Sequence, residues 1–141
     1  MTKLTATICC LSLLAVPAFA GATNDKAPST RAIGGAYAPY ARLAAIVQAG
    51  GGVVRSKNVF AVSHPTNGEY CIRTSMAQSS INMSIPVLTV DWSNSFGNNS
   101  LAQLRSSNAG CPLGSFNVLT FQLVSGSFVR SNNVGFTIVV P

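Results

Sequence analysis

The chain of 141 residues carries nine Lys and Arg against three acids, a formal charge of +6, yet only 9% of its residues are charged and 48% are hydrophobic. That balance fits one globular domain and excludes a highly charged disordered chain. The bases are scattered with no run of three, so a specific nucleic-acid surface of clustered Lys and Arg among stacking aromatics is not expected.

Residues 1–20 have the order of a secretory signal peptide: Lys3, an apolar run from Leu4 to Val16, then Ala18-Phe19-Ala20 before Gly21. The run is shorter than the roughly 20 residues that span a bilayer, and no later segment is long and apolar enough to do so. The expected location is therefore secreted or periplasmic. Cleavage after Ala20 removes Cys9 and Cys10 and leaves 121 residues with two cysteines, Cys71 and Cys111. In an oxidising compartment these should form one disulfide. Two thiolates and the single His64 fall short of the four ligands of a structural zinc site, and no metal or other cofactor is expected.

Residues 21–40, rich in Gly, Ala and Pro without a period, read as a flexible leader whose end Tyr37 and Tyr40 should pin down. A single β domain is expected over 41–141. Its first element, within "ARLAAIVQA", reads as a short buried strand stopped by Gly50-Gly51-Gly52. "FAVSH" and "EYCIR" flank Pro65-Thr66-Asn67-Gly68, the turn chemistry of a β-hairpin. Tyr70, Ile72 and Thr74 should share one face, and His64 should neighbour Glu69 across the turn. Ile81, Met83 and Ile85 alternate with polar residues and predict a half-buried strand. Leu88, Val90 and Trp92 continue the alternation after Pro86, which marks a bulge or an edge. Phe136, Ile138 and Val140 form the last strand. About eight strands are expected in an antiparallel β-sandwich or small barrel.

Val54-Arg55-Ser56-Lys57-Asn58-Val59 returns as Val129-Arg130-Ser131-Asn132-Asn133-Val134, with one difference in six. Each copy follows a Gly-containing turn and opens an apolar strand. We read it as a structural device used twice, strand, kink, strand, with Val59 and Val134 facing the core. The functional alternative makes Arg55 and Arg130 two anion-binding groups.

Few residues offer catalysis. Ser63 and His64 are adjacent on a strand and point to opposite faces, which bars activation of one by the other. Asp91 is a lone acid, whereas glycoside hydrolysis normally needs two carboxylates. No catalytic residue is assigned. Trp92 precedes the polar loop "SNSFGNNS", which carries Phe96; an aromatic beside amide side chains suits a sugar-binding surface, while the structural alternative buries Trp92 in the core. The candidate binding surface comprises Trp92, Phe96, Arg55 and Arg130.

The segment "AAIVQAGGGVVRSKNVFAVSHPTNGEYCI" with the closing "VGFTIVVP" resembles a group of small secreted bacterial proteins and tail-fibre-like modules. Their pattern is a strand, a Gly turn, a valine-rich strand and then G-x-Y-x-I/V, matched by Gly68, Tyr70 and Ile72. The resemblance implies a compact β module and no catalytic residues. The expected role is a secreted, non-catalytic structural or recognition module whose partner is an extracellular protein or polysaccharide. The alternatives are a small secreted hydrolase acting near Asp91 or His64, and an inhibitor or toxin presenting the 93–100 loop. Homo-oligomerisation stays open.

Overall fold

The computed structural model describes residues 34–105 and 109–141; the expected signal peptide and the leader through residue 33 lie outside the described residues. Nine strands and one short helix follow in order. They are β1 (Leu43–Val47), β2 (Val53–Lys57), β3 (Val59–Thr66), β4 (Glu69–Thr74), α1 (Gln78–Met83), β5 (Val87–Asp91), β6 (Ser100–Arg105), β7 (Ser115–Val124), β8 (Ser127–Arg130) and β9 (Gly135–Val140).

The strands form two antiparallel sheets, both open, so the barrel alternative is set aside. The first has the order β2-β1-β9-β5 and the second β3-β4-β7-β6. Ten-residue β7 is long enough to take two partners on one edge: β4 pairs with Ser115 to Leu119 and β8 with Phe121 to Val124. Thr120 sits at the junction, where its N–H donates to Gly68 O and its hydroxyl to Ser131 O.

Alternation explains which side chains meet between the sheets. Leu43, Ala45 and Val47 of β1, with Phe136, Ile138 and Val140 of β9, meet Tyr70 and Ile72 of β4 and Phe116 and Val118 of β7 in one buried cluster. Tyr70, Ile72 and Thr74 are all buried, as the period predicts. The Tyr70 and Phe136 rings pack edge to face at 5.3 Å, a geometry worth about 0.5–1.5 kcal/mol beyond the area it buries.

The repeated hexapeptide marks two of the four places where consecutive strands belong to different sheets. At the first, β2 of one sheet gives way to β3 of the other through Asn58 alone. Asn58 has φ 57°, a left-handed conformation that Asn tolerates better than most residues, and its side-chain amide donates to Arg42 O at 2.7 Å. At the second, β8 gives way to β9 through residues 131–134. Ser131 N–H donates to Thr120 O, and the Ser131 hydroxyl bonds Gln122 Oε1 while accepting from Asn133 N–H. Val59 and Val134 are fully buried, and Ser56 and Ser131 are buried as well. The device is therefore a corner between sheets.

Four sequence expectations need correction. Residues 78–83 form a helix instead of a strand. Only Ile81 of the alternating set is buried; Met83 and Ile85 are exposed. Local bonds favour the helical turn: Gln78 Nε2 donates to Asn82 Oδ1, and the Ser84 hydroxyl to Ser80 O. Trp92 is exposed, because Asp91 ends β5 and starts a 3-10 turn over Trp92–Asn94. His64 and Glu69 do not pair. The register shifts between Ser63 and Thr66, Glu69 lies opposite Thr66, and the exposed His64 ring stands 6.0 Å from that of Tyr70. Finally, Tyr37 and Tyr40 are 94% and 96% exposed, so they do not anchor the leader. Its described end is held by polar contacts instead: Ser56 N–H donates to Gly34 O, and Lys57 Nζ donates to Ala38 O and Pro39 O.

Cys71 and Cys111 are bonded, with Cα atoms 5.4 Å apart. Because Tyr70 and Ile72 face the core, Cys71 and Glu69 face outward, and the bond draws the β6–β7 connection across the outer face of the second sheet. No helix among the described residues is long and apolar enough to cross a membrane.

Candidate recognition surface

Several connections meet around Asn132 and Asn133. In the hairpin turn only Gly68 takes positive φ, 64°, and a Cβ there would meet the backbone of Thr120 and Ser131. This close approach lets Gly68 N–H reach Asn132 Oδ1 at 2.7 Å. Asn67 clasps the same segment from both sides, donating to Arg130 O and accepting from Asn132 N–H. Asn132 O accepts from Gly50 N–H at 2.8 Å and from the Tyr70 hydroxyl at 3.1 Å. Burial pushes the Tyr70 phenol above its usual range, which keeps it a neutral donor.

The loop after β5 is built onto this junction. Asp91 accepts from Ser93 N–H and from the Asn94 side-chain amide, and the Ser95 hydroxyl donates to Asp91 O. Gly135 N–H donates to Ser95 Oγ at 2.8 Å, and any Cβ at Gly135 would collide with Asn94 O. Phe96 N–H donates to Asn133 O, while Phe96 O accepts from Gln122 Nε2. With its backbone fixed in this way, the loop presents Trp92 at 59% exposure and Phe96 at 68%. Gln48, Ala49 and residues 93–96 line an open groove of about 220 Å³ beside it. Exposed ring faces and amide or hydroxyl groups on a rigid backbone can stack on an apolar ligand face and bond its polar rim.

Trp92 and Phe96 thus share one loop, whereas the two arginines stand elsewhere. Arg55 lies on β2, opposite Ile46 and on the far edge of the first sheet from β5. Arg130 is on β8 in the second sheet, 3.3 Å from Glu69 Oε2. The two arginines therefore lie in different sheets. Nothing in the sequence marks Gln48 or Gln122 at this surface. Isolated amides carry no periodic signal, and only the repeated hexapeptide containing Asn132 and Asn133 pointed toward the junction.

Among the described residues, both acids, Asp91 and Glu69, have structural partners. Asp91 holds the aromatic loop. Glu69 is buried, with Oε1 accepting from Asn117 Nδ2 at 2.9 Å and lying 3.4 Å from Arg105, and Oε2 accepting from the Thr66 hydroxyl. The Asn117 amide, aided by Thr66, Arg130 and Arg105, holds the Glu69 carboxyl below its usual range against the opposing effect of burial. Among the described residues no three His, Cys, Asp or Glu gather as a metal site would require. No family model, curated protein or solved structure matches the chain.

Proposed function

We propose that the protein is a secreted, non-catalytic recognition module that binds polysaccharide through the Trp92–Phe96 loop. The observation that carries this reading is the exposure of two aromatic rings on a loop tied by hydrogen bonds to Asp91, Asn133, Gly135 and Gln122. A floppy loop would lose its binding energy to ordering, while a prefixed one avoids that cost. Sugars match the surface because their C–H faces stack on aromatic rings and their hydroxyls exchange hydrogen bonds with Gln48, Ser93 and Asn94. The net positive charge adds attraction for acidic polysaccharides, an attraction that weakens with salt.

A glycan array probed with the mature protein and with its Trp92→Ala and Phe96→Ala variants tests the proposal. Binding to a defined group of glycans is expected, with loss of at least about tenfold in each variant, the scale of stacking energies of about 1–3 kcal/mol per aromatic contact. Absence of glycan binding together with capture of one extracellular protein through the same loop overturns the polysaccharide assignment. Turnover of a glycan by the wild type overturns the non-catalytic one.

A further inference from the structure

The ribbon formed by the end of β7 and β8 is open on both faces. Leu123 and Phe128 are cross-strand partners on one face, 39% and 55% exposed, and Val124 and Val129 lie on the other, 53% and 45% exposed. Ser125 and Gly126 between the strands both have positive φ, 49° and 84°, as a two-residue hairpin turn requires. That turn sets the ladder. Val124 and Ser127 close it as a hydrogen-bonded pair, so Leu123 and Phe128 form the next, non-hydrogen-bonded pair, whose N–H and C=O groups point away from each other. Two bonds agree with this alternation: Leu123 N–H donates outward to Asn99 O at 3.0 Å, and Arg130 O, two residues beyond Phe128, accepts outward from the Asn67 amide. The N–H and C=O of Phe128 therefore face the outer edge of β8, where no strand is paired.

The other sheet edges among the described strands are guarded. Gly35 bridges to Ser56 along β2, β3 contains Pro65 and two register shifts, and β5 and β6 pack beside one another. Charge, Pro, bulges and covering segments are the usual protections of an edge, and an apolar edge without them is a template for a further strand. On β8 the one charge is Arg130, whose guanidinium is turned to Glu69. The charge distribution selects a second copy as the added strand. Residues 92–104 and 111–129 hold no charged side chain in a chain of formal charge +6, so two copies repel each other least where these segments meet. An antiparallel edge is also self-complementary, and a twofold axis satisfies both copies with the same groups. We infer that β8 pairs antiparallel with β8 of a second copy about a twofold axis near Phe128, engaging Phe128 N–H and C=O and gathering Leu123 and Phe128 of both copies into one apolar cluster. The contact needs no sugar and is independent of the Trp92–Phe96 reading.

Sedimentation velocity of the full mature chain between about 5 and 500 µM, without sugar, tests the inference. A monomer–dimer equilibrium with a Kd of about 10–100 µM is expected, since a four-residue strand buries a small interface. Phe128→Lys sets like charges against each other at the axis and should weaken the dimer at least about tenfold, with the melting temperature unchanged because the position is exposed. Leu123→Lys should do the same and replaces it should Phe128→Lys fail to fold. Hydrogen exchange gives a readout that side-chain contact alone would not move: the Phe128 amide should exchange at least about tenfold more slowly where the dimer predominates than in dilute solution. A chain that stays monomeric throughout the range overturns the inference, including the case in which β8 serves a different protein. Folded variants that dimerise as the wild type does, a mass that grows past the dimer with concentration, or a Phe128 amide that exchanges equally fast in both states also overturn it.

Discussion

Glu69 shows how one residue can couple distant parts of a chain. It accepts from Thr66 in its own hairpin and Asn117 on β7, and it lies beside Arg105 at the end of β6 and Arg130 on β8. The loop drawn over it by Cys111 fits closely, for a Cβ at Gly110 would stand 2.8 Å from Glu69 Oε1. Because the folded carboxyl titrates below its ordinary value, the folded form holds its charge where the unfolded one begins to protonate. Its stabilisation is thus full above about pH 4.5 and is lost as pH falls through the lowered folded value. With only three acidic side chains in the sequence, this group should dominate the acid limb. Melting temperatures between about pH 2 and 7 should fall below pH 4.5 in the wild type. Glu69→Gln should melt lower at neutral pH and show a flatter acid limb; an unchanged acid limb refutes the assignment. Gly68 supplies a second expectation at this scale. Ala there combines a positive φ with contact against two backbone strands, so it should cost at least about 1–2 kcal/mol in a denaturant midpoint series.

At the scale of elements, the two corners predict a sharp contrast between positions of the repeated hexapeptide. Val59→Ala and Val134→Ala each vacate a fully buried site and should cost about 2 kcal/mol or more. Arg55→Gln should change the melting temperature little, as exposed charges usually contribute little. Arg130→Gln should cost more than Arg55→Gln because it removes a partner from buried Glu69. Thermal scans of the four variants check the order, and equal losses at the two arginines would contradict it. The corners, the hairpin and the C-terminal strand were legible because alternation and turn residues act within a few positions of the chain. Helix α1 was not. Its period of two over residues 81–85 is too short to exclude a helical turn, and the bond from Gly114 N–H to Gln78 Oε1 comes from 36 residues away. Trp92 is exposed where the alternation would bury it. The alternation that would bury it is broken by Asp91 turning the chain, an effect of one side chain on two backbone positions. The clustering of Asn67, Asn132 and Phe96 needed the fold itself, since more than 60 residues separate Asn67 from Asn132.

For the whole molecule, two open sheets, two corners and one disulfide leave one end free to carry a fixed aromatic loop. The disulfide closes a separation of 40 residues, for which chain-entropy reasoning gives roughly 4 kcal/mol. Reduction should therefore lower the melting temperature strongly and expose the Glu69 cluster to solvent. Unchanged melting after verified reduction would contradict the role given to Cys111. The most direct test of recognition uses a property of the chain itself: Trp92 is its only tryptophan, so its fluorescence reports from the proposed surface alone. Titration of the folded protein with soluble mannan, dextran, the acidic polysaccharide alginate and chitin oligosaccharides should give a saturable emission change with at least one of them, and Phe96→Ala should abolish it at an unchanged melting temperature. Unaltered Trp92 emission with all four, or a change that Phe96→Ala leaves intact, would contradict recognition through this loop.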